Sequence, residues 1–222
     1  MVLAIVGVLV AVEVLALVWL FYSVGAYKNY WIKAANESGE LTYLALGDSA
    51  AQGIGATSPR RGYVGVLASR LQQKTGKSVR VVNISKTGAT LQDYLNEQAP
   101  KVKGIKADVV TIEIGANDIR SFDKEKFTAQ FRQVLASLPD GTYVSNMPLF
   151  NSRPGSTNNA QEASDVIKKA LADYSKLVFV DLEKQTSDNK SIFGFAPDLF
   201  HPNNISYKNW ADAFWLQINK ID

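Results

Sequence analysis

Five short apolar runs, separated by stretches of helical periodicity, restrict what this chain can fold into more than any other feature. The runs Leu41–Leu46, Val79–Ile84, Val109–Ile114, Thr142–Asn146 and Leu177–Leu182 are rich in β-branched and apolar residues and bounded by turn formers. Near-continuous apolarity suits strands covered on both faces. Helical spacing fills the intervals at Tyr63–Thr75, Leu91–Glu97, Lys126–Leu138, Ala160–Tyr174 and Tyr207–Lys220. In the third of these, Phe127, Phe131, Val134, Leu135 and Leu138 fall on one face and read as core. The alternation predicts a three-layer α/β/α sandwich with a five-stranded parallel sheet and right-handed crossovers. Sheets of this kind bind ligands beyond the carboxyl ends of their strands, so the loops there are where chemistry is expected.

A second apolar feature precedes the sheet. From Val2 to Val24 the only ionisable side chain is Glu13, and a helix of about 20 such residues spans a hydrocarbon core of about 30 Å. Trp19, Tyr22, Tyr27, Tyr30 and Trp31 follow as an interfacial aromatic belt would, and Lys28 and Lys33 mark the return to water. Val24-Gly25-Ala26 could pass for a signal-peptide cleavage site, but the run is too long and lacks a basic leader, so an uncleaved anchor is expected. Glu13 reads as a tolerated, protonated carboxyl. The expected organisation is an anchor over 1–27, a polar linker over 28–40 and one catalytic-sized domain over 41–222. The lysines after the span favour a cytoplasmic domain by the positive-inside rule.

Composition removes several classes of function. With no cysteine there is no disulfide framework, thiolate metal site or cysteine nucleophile, and one histidine cannot build a multi-imidazole metal site. A net charge of +3 is far from a nucleic-acid-binding signature, and no such partner is expected.

Four loops at expected strand ends carry reactive side chains. After the first strand comes Gly47-Asp48-Ser49-Ala50-Ala51-Gln52, which alone is ordinary turn chemistry. After the second comes Asn83-Ile84-Ser85-Lys86-Thr87-Gly88; its glycosylation sequon sits at a strand end, where a glycan is not expected. The third loop, Gly115-Ala116-Asn117-Asp118, sets an amide donor just past its strand. Before the last helix, Asp198-Leu199-Phe200-His201-Pro202-Asn203 places the only histidine three residues after a carboxylate.

In this order and spacing the four segments resemble the SGNH hydrolases, or GDSL esterase/lipase family, over about Leu41 to Ile218. The resemblance implies the flavodoxin-like SGNH hydrolase fold, with Ser49 as nucleophile, His201 as general base and then acid, and Asp198 as the carboxylate orienting His201. It further implies an oxyanion hole built from the backbone N–H groups of Ser49 and Gly88 and the Asn117 side chain, with no metal or organic cofactor. Activity is then expected to rise through about pH 6–8 as the base becomes neutral. The Gly-x-Ser-x-Gly elbow of the α/β-hydrolases is absent. Ala50 replaces a residue that is often larger in the family, and Asp48 is assigned a hydrogen-bonding role in the turn.

The expected function is a membrane-anchored serine esterase acting on a lipid, an acylated glycan or a small ester. The family's frequent export inclines the domain to the extracytoplasmic side, against the lysines. Alternatives are an envelope O-acetylesterase or O-acyltransferase, and a tethered binding module without catalysis. The segment Phe150–Asn159 is a candidate cleft border, and Arg60-Arg61 a candidate headgroup contact that reads more simply as a solvated basic pair.

Overall fold

The computed structural model describes residues 2–149, 156–191 and 193–220. The first six residues of the expected cleft border, Phe150–Gly155, lie outside them. Five parallel strands, β1 (Leu41–Gly47), β2 (Val79–Asn83), β3 (Val109–Glu113), β4 (Tyr143–Ser145) and β5 (Val178–Val180), form one sheet in the order β2-β1-β3-β4-β5. All five match the apolar runs, four within a residue or two of the expected length and β5 three residues shorter. The order reverses between β1 and β3, and that switch point is where open α/β sheets leave a crevice.

The strands bury both faces, as their composition requires. Along β1, Leu44 and Leu46 enter one core with Ile112, Phe127, Phe131 and Ile167, while Tyr43 and Ala45 enter the other with Tyr63, Leu67, Trp210 and Phe214. The first layer is built by α6 (Lys124–Ser137), α7 (Thr157–Leu171) and a helix in three parts, α4 (Leu91–Asp93), a π turn (Tyr94–Gln98) and α5 (Ala99–Val102). The π turn ends two residues before Pro100, whose ring would otherwise crowd the carbonyl of Asn96. The opposite layer holds α3 (Tyr63–Thr75) and α9 (Asn204–Ile218), where Tyr63 stacks on Phe214 at 5.3 Å between ring centres.

Two elements escaped the sequence. A four-residue helix α2 (Ser49–Gln52) follows β1 directly, and α8 (Leu182–Asp188) begins where β5 was expected to continue. Asp181 stops the strand and caps α8 by accepting from the Lys184 N–H at 3.0 Å.

The N-terminal helix departs most from expectation. α1 (Val2–Ala35) is unbroken, so the segment expected to be a linker from residue 28 is helical to Ala35. Its first part is bare, with Val8, Leu15 and Phe21 at 62%, 67% and 79% exposure, and its apolar stretch reaches a mean hydropathy of 2.2, enough to cross a membrane. From Leu20 onward one stripe, Leu20, Ser23, Tyr27, Trp31 and Ala34, is buried against the domain. Tyr27 and Trp31, read from sequence as interfacial, are therefore core residues. Tyr27 donates its hydroxyl to the Ala56 carbonyl at 2.6 Å and Trp31 its indole N–H to the Gln52 carbonyl at 3.0 Å. Helical spacing put both on the stripe facing the sheet, and buried polar tips need such partners.

Candidate active site

The turn after β1 is tightly specified. Gly47 has φ +136°, and a side chain there would overlap the Glu113 carbonyl of the neighbouring strand. The buried Gln98 side chain brackets this glycine, accepting from its N–H at 3.0 Å and donating to its carbonyl at 2.7 Å. Asp48 caps α2 by accepting from the Ala50 N–H at 2.9 Å. Ser49 thus becomes the first residue of a helical turn, and its backbone N–H has no helical carbonyl to reach.

The loop before α9 is cross-braced. Phe195 and Pro202 form an antiparallel bridge, the Ala196 N–H donates to His201 O at 2.8 Å, and the Asn203 N–H donates to Gly194 O at 2.9 Å. Within it, Asp198 Oδ1 accepts from the backbone N–H groups of Phe200 and His201, both at 3.0 Å, which leaves Oδ2 to meet His201 Nδ1 at 2.5 Å. His201 Nε2 then lies 3.0 Å from Ser49 Oγ. Gly55 makes this approach possible, because a Cβ there would strike Pro202 O and His201 Cβ.

The structure therefore brings Ser49, His201 and Asp198 into one hydrogen-bonded line. Burial pushes the Asp198 carboxyl up, but the His201 side chain and the two backbone N–H groups outweigh it and hold the group below the usual carboxylate range. A serine hydroxyl, an imidazole and an ionised carboxylate so aligned can generate an alkoxide nucleophile at a carbonyl carbon.

The three candidate oxyanion donors are differently placed. The loop carrying Gly88 is fastened beside the Ser49 turn: the Lys86 N–H donates to Gly47 O at 3.2 Å, and Thr87 donates through both N–H and hydroxyl to Gln52 Oε1. Asn117 Nδ2 donates to Asp48 Oδ2 at 2.9 Å and to Ala89 O at 3.0 Å, so both of its protons are engaged in this state. The sequon asparagine, Asn83, gives its amide to Ala51 O at 2.7 Å, an internal use of the group a glycan would need. Arg60, of the basic pair, donates to the Tyr30 hydroxyl at 3.1 Å.

A cleft opens beside Ser49 and His201, with Pro148, Leu149, Phe195 and Phe200 among its apolar walls and Lys190 on its polar side. Beneath the site, Glu113 is fully buried and neither carboxyl oxygen has a protein partner, so burial, reinforced by the nearby Asp48 charge, pushes its pKa well up. No group of three or more histidine, aspartate or glutamate residues able to hold a metal occurs among the described residues.

Gln52 and Gln98, which fasten the Gly88 loop and Gly47, were not foreseen. Glutamine is usually a solvated residue, and nothing in its spacing marks either one.

A profile of the GDSL-like Lipase/Acylhydrolase family matches residues 45–208, and the chain belongs to that family. Among solved structures it is similar to LAE5, an alpha/beta hydrolase from the metagenome of Lake Arreo, with TM-score 0.68, 19% identity, and coverage of 85% of this chain and 99% of that one. It is also similar to Axe2, an acetylxylan esterase from Geobacillus stearothermophilus (TM-score 0.65, 22% identity, 82% and 95% covered). TesA is a third (TM-score 0.66, 21% identity, 81% and 98% covered). At these identities the likeness is one of fold. No curated protein matches the chain significantly.

Proposed function

We propose that the protein is a serine esterase that cleaves carboxylic esters through an acyl-enzyme on Ser49. The observation that carries this reading is the continuous line from Asp198 Oδ2 to His201 Nδ1 at 2.5 Å and from His201 Nε2 to Ser49 Oγ at 3.0 Å. Family membership and the esterase activity named for Axe2 support it.

In the proposed reaction, His201 Nε2 takes the Ser49 proton as Oγ attacks the ester carbonyl, and Asp198 stabilises the imidazolium. The tetrahedral oxyanion is met by the N–H groups of Ser49 and Gly88 and by the Asn117 amide, which must share or release one proton now given to Asp48 or Ala89. His201 then protonates the departing alcohol. A water molecule, deprotonated by His201, releases the acid from Ser49.

The test uses the full chain in detergent or nanodiscs with a fluorophosphonate probe, beside Ser49→Ala. Labelling of the parent alone, together with turnover of an ester panel, is the expected result. An unlabelled, folded parent overturns the mechanism.

A further inference from the structure

The apolar side chains exposed beside the catalytic loop have no role in the reaction above. Phe193, Leu199 and Ile205 are 74%, 65% and 50% exposed; Leu199 lies within the braced loop that carries Asp198 and His201, Phe193 just before it and Ile205 in the first turn of α9. Leu199 holds φ +53°, a backbone region that glycine or asparagine occupies with less strain. A leucine is thus kept at a strained position where its side chain meets no core.

The path of the chain fixes where these residues sit. α1 ends at Ala35, and after residues 36–40 the chain returns as β1; the Glu40 N–H donates to Ser78 O at 3.0 Å, beside the start of β2. Going back along α1 from Ala35 to Leu20 covers about 22 Å at 1.5 Å per residue. Trp31 already reaches the Gln52 carbonyl just past β1, so Leu20, further along α1, lies beyond the carboxyl end of the sheet, where Leu20 and Tyr27 cluster with Ile54 and with Ala196 of the catalytic loop. Aromatic side chains collect at the edge of a hydrocarbon core, and those exposed on α1 before Lys28 set that edge at Trp19–Tyr22. Trp19, Phe21 and Tyr22 stand exposed at the same height.

From this placement we infer that Phe193, Leu199 and Ile205 form a lip seated in the surface of the bilayer that α1 enters, and that the adjoining cleft draws an acyl lipid from that surface. The inference rests on the esterase reading for its substrate and on α1 crossing a bilayer for its geometry. Apolar side chains at a headgroup boundary bind in proportion to the area they bury, and the unbroken helix leaves the domain no slack with which to withdraw them.

The chain has no cysteine, so single cysteines can be labelled cleanly. Full-length Leu199→Cys, Val18→Cys and Lys106→Cys proteins would each carry an environment-sensitive fluorophore in phosphatidylcholine–phosphatidylglycerol vesicles. Lipid-borne nitroxide should quench the labels at 18 and 199, and aqueous iodide the label at 106. A label at 199 that behaves like that at 106 overturns the lip, as does a label at 18 reached only by iodide. So does concentration-dependent self-association that shields position 199 without lipid.

In a second arm, Phe193→Ser combined with Ile205→Gln should lower kcat/KM on a vesicle-embedded acyl ester by about tenfold or more and leave a soluble acetate ester unchanged. Equal loss on both substrates, or on neither, overturns the substrate assignment. Quenching reads no turnover, so a protein that contacts lipid without fluorophosphonate labelling refutes the esterase reading and upholds the lip.

Discussion

The Asn117 carboxamide is held 2.9 Å from the Asp48 carboxylate, so the residue preceding the candidate nucleophile orients a candidate oxyanion donor. Asp48 faces two ways, capping α2 through Oδ1 and fixing Asn117 through Oδ2. Its closeness to Ser49 in sequence therefore has a geometric use distinct from that of Asp198.

Asn117→Ala should reduce kcat by on the order of 10²–10³, the usual effect of losing one oxyanion donor, with KM little changed. Asp48→Asn keeps an acceptor for the Ala50 N–H but sets an amide against Asn117, and should cost on the order of 10-fold or more in kcat. Steady-state kinetics on a soluble ester check both, and unchanged kcat in Asn117→Ala removes it from the hole.

Because its partners hold Asp198 low, this carboxyl stays ionised wherever His201 can act as base. Asp198 should therefore add no proton to the acid limb of kcat/KM, whereas Asp48, pushed up to about 6 by burial, titrates within it. Asp198→Asn should cost on the order of 10⁴ in kcat. A carboxyl depressed in the fold contributes stability above its unfolded value and loses it as pH falls through the folded one. Asp198→Asn should accordingly melt below the parent at neutral pH and converge with it in acid, as read by scanning calorimetry.

Glu113 has the opposite sign. Its folded pKa is raised by burial, so the unfolded chain ionises first and stability drains away as pH climbs past the unfolded carboxylate value toward the folded one. Glu113→Gln, of nearly the same shape, should raise Tm at pH 8 and change it little near pH 4. A larger gain in acid than in base would contradict the assignment.

Gln98→Leu deprives the buried Gly47 N–H of its side-chain partner and leaves the Gly47 carbonyl with the Lys86 N–H alone. Stability should fall by about 1–3 kcal/mol, the usual cost of one unsatisfied buried group. Urea denaturation measures it, and a loss under about 1 kcal/mol would mean another group accepts from the Gly47 N–H.

Much of this architecture is legible in the chain because parallel strands buried on both faces leave almost unbroken apolar runs, such as Leu41–Leu46. The loops were legible for a related reason, since a reactive side chain just past a strand end, such as Ser49 or Asn117, stands at a known edge. What escaped depended on tertiary partners. The polar sequence of α8 carries no strong apolar period, and its start depends on the Asp181 cap. Gln52 and Gln98 act through amide bonds to distant backbone, which no local pattern encodes. In α1, the 20-23-27-31-34 stripe lay in plain view, but uniform apolarity and the aromatic cluster masked it.

The docking of Tyr27 and Trp31 also decides where this protein can be shortened. A version beginning after Ala35 would strip the cover from Ile54 and Ala196, leave the Ala56 carbonyl without its hydroxyl and the Gln52 carbonyl without its indole. Gln52 is the residue that tethers Thr87, so the damage would run from a missing helix to the Gly88 loop within two side chains. A water-soluble form should therefore be cut inside the helix near Phe21, retaining its last four turns as an integral part of the domain.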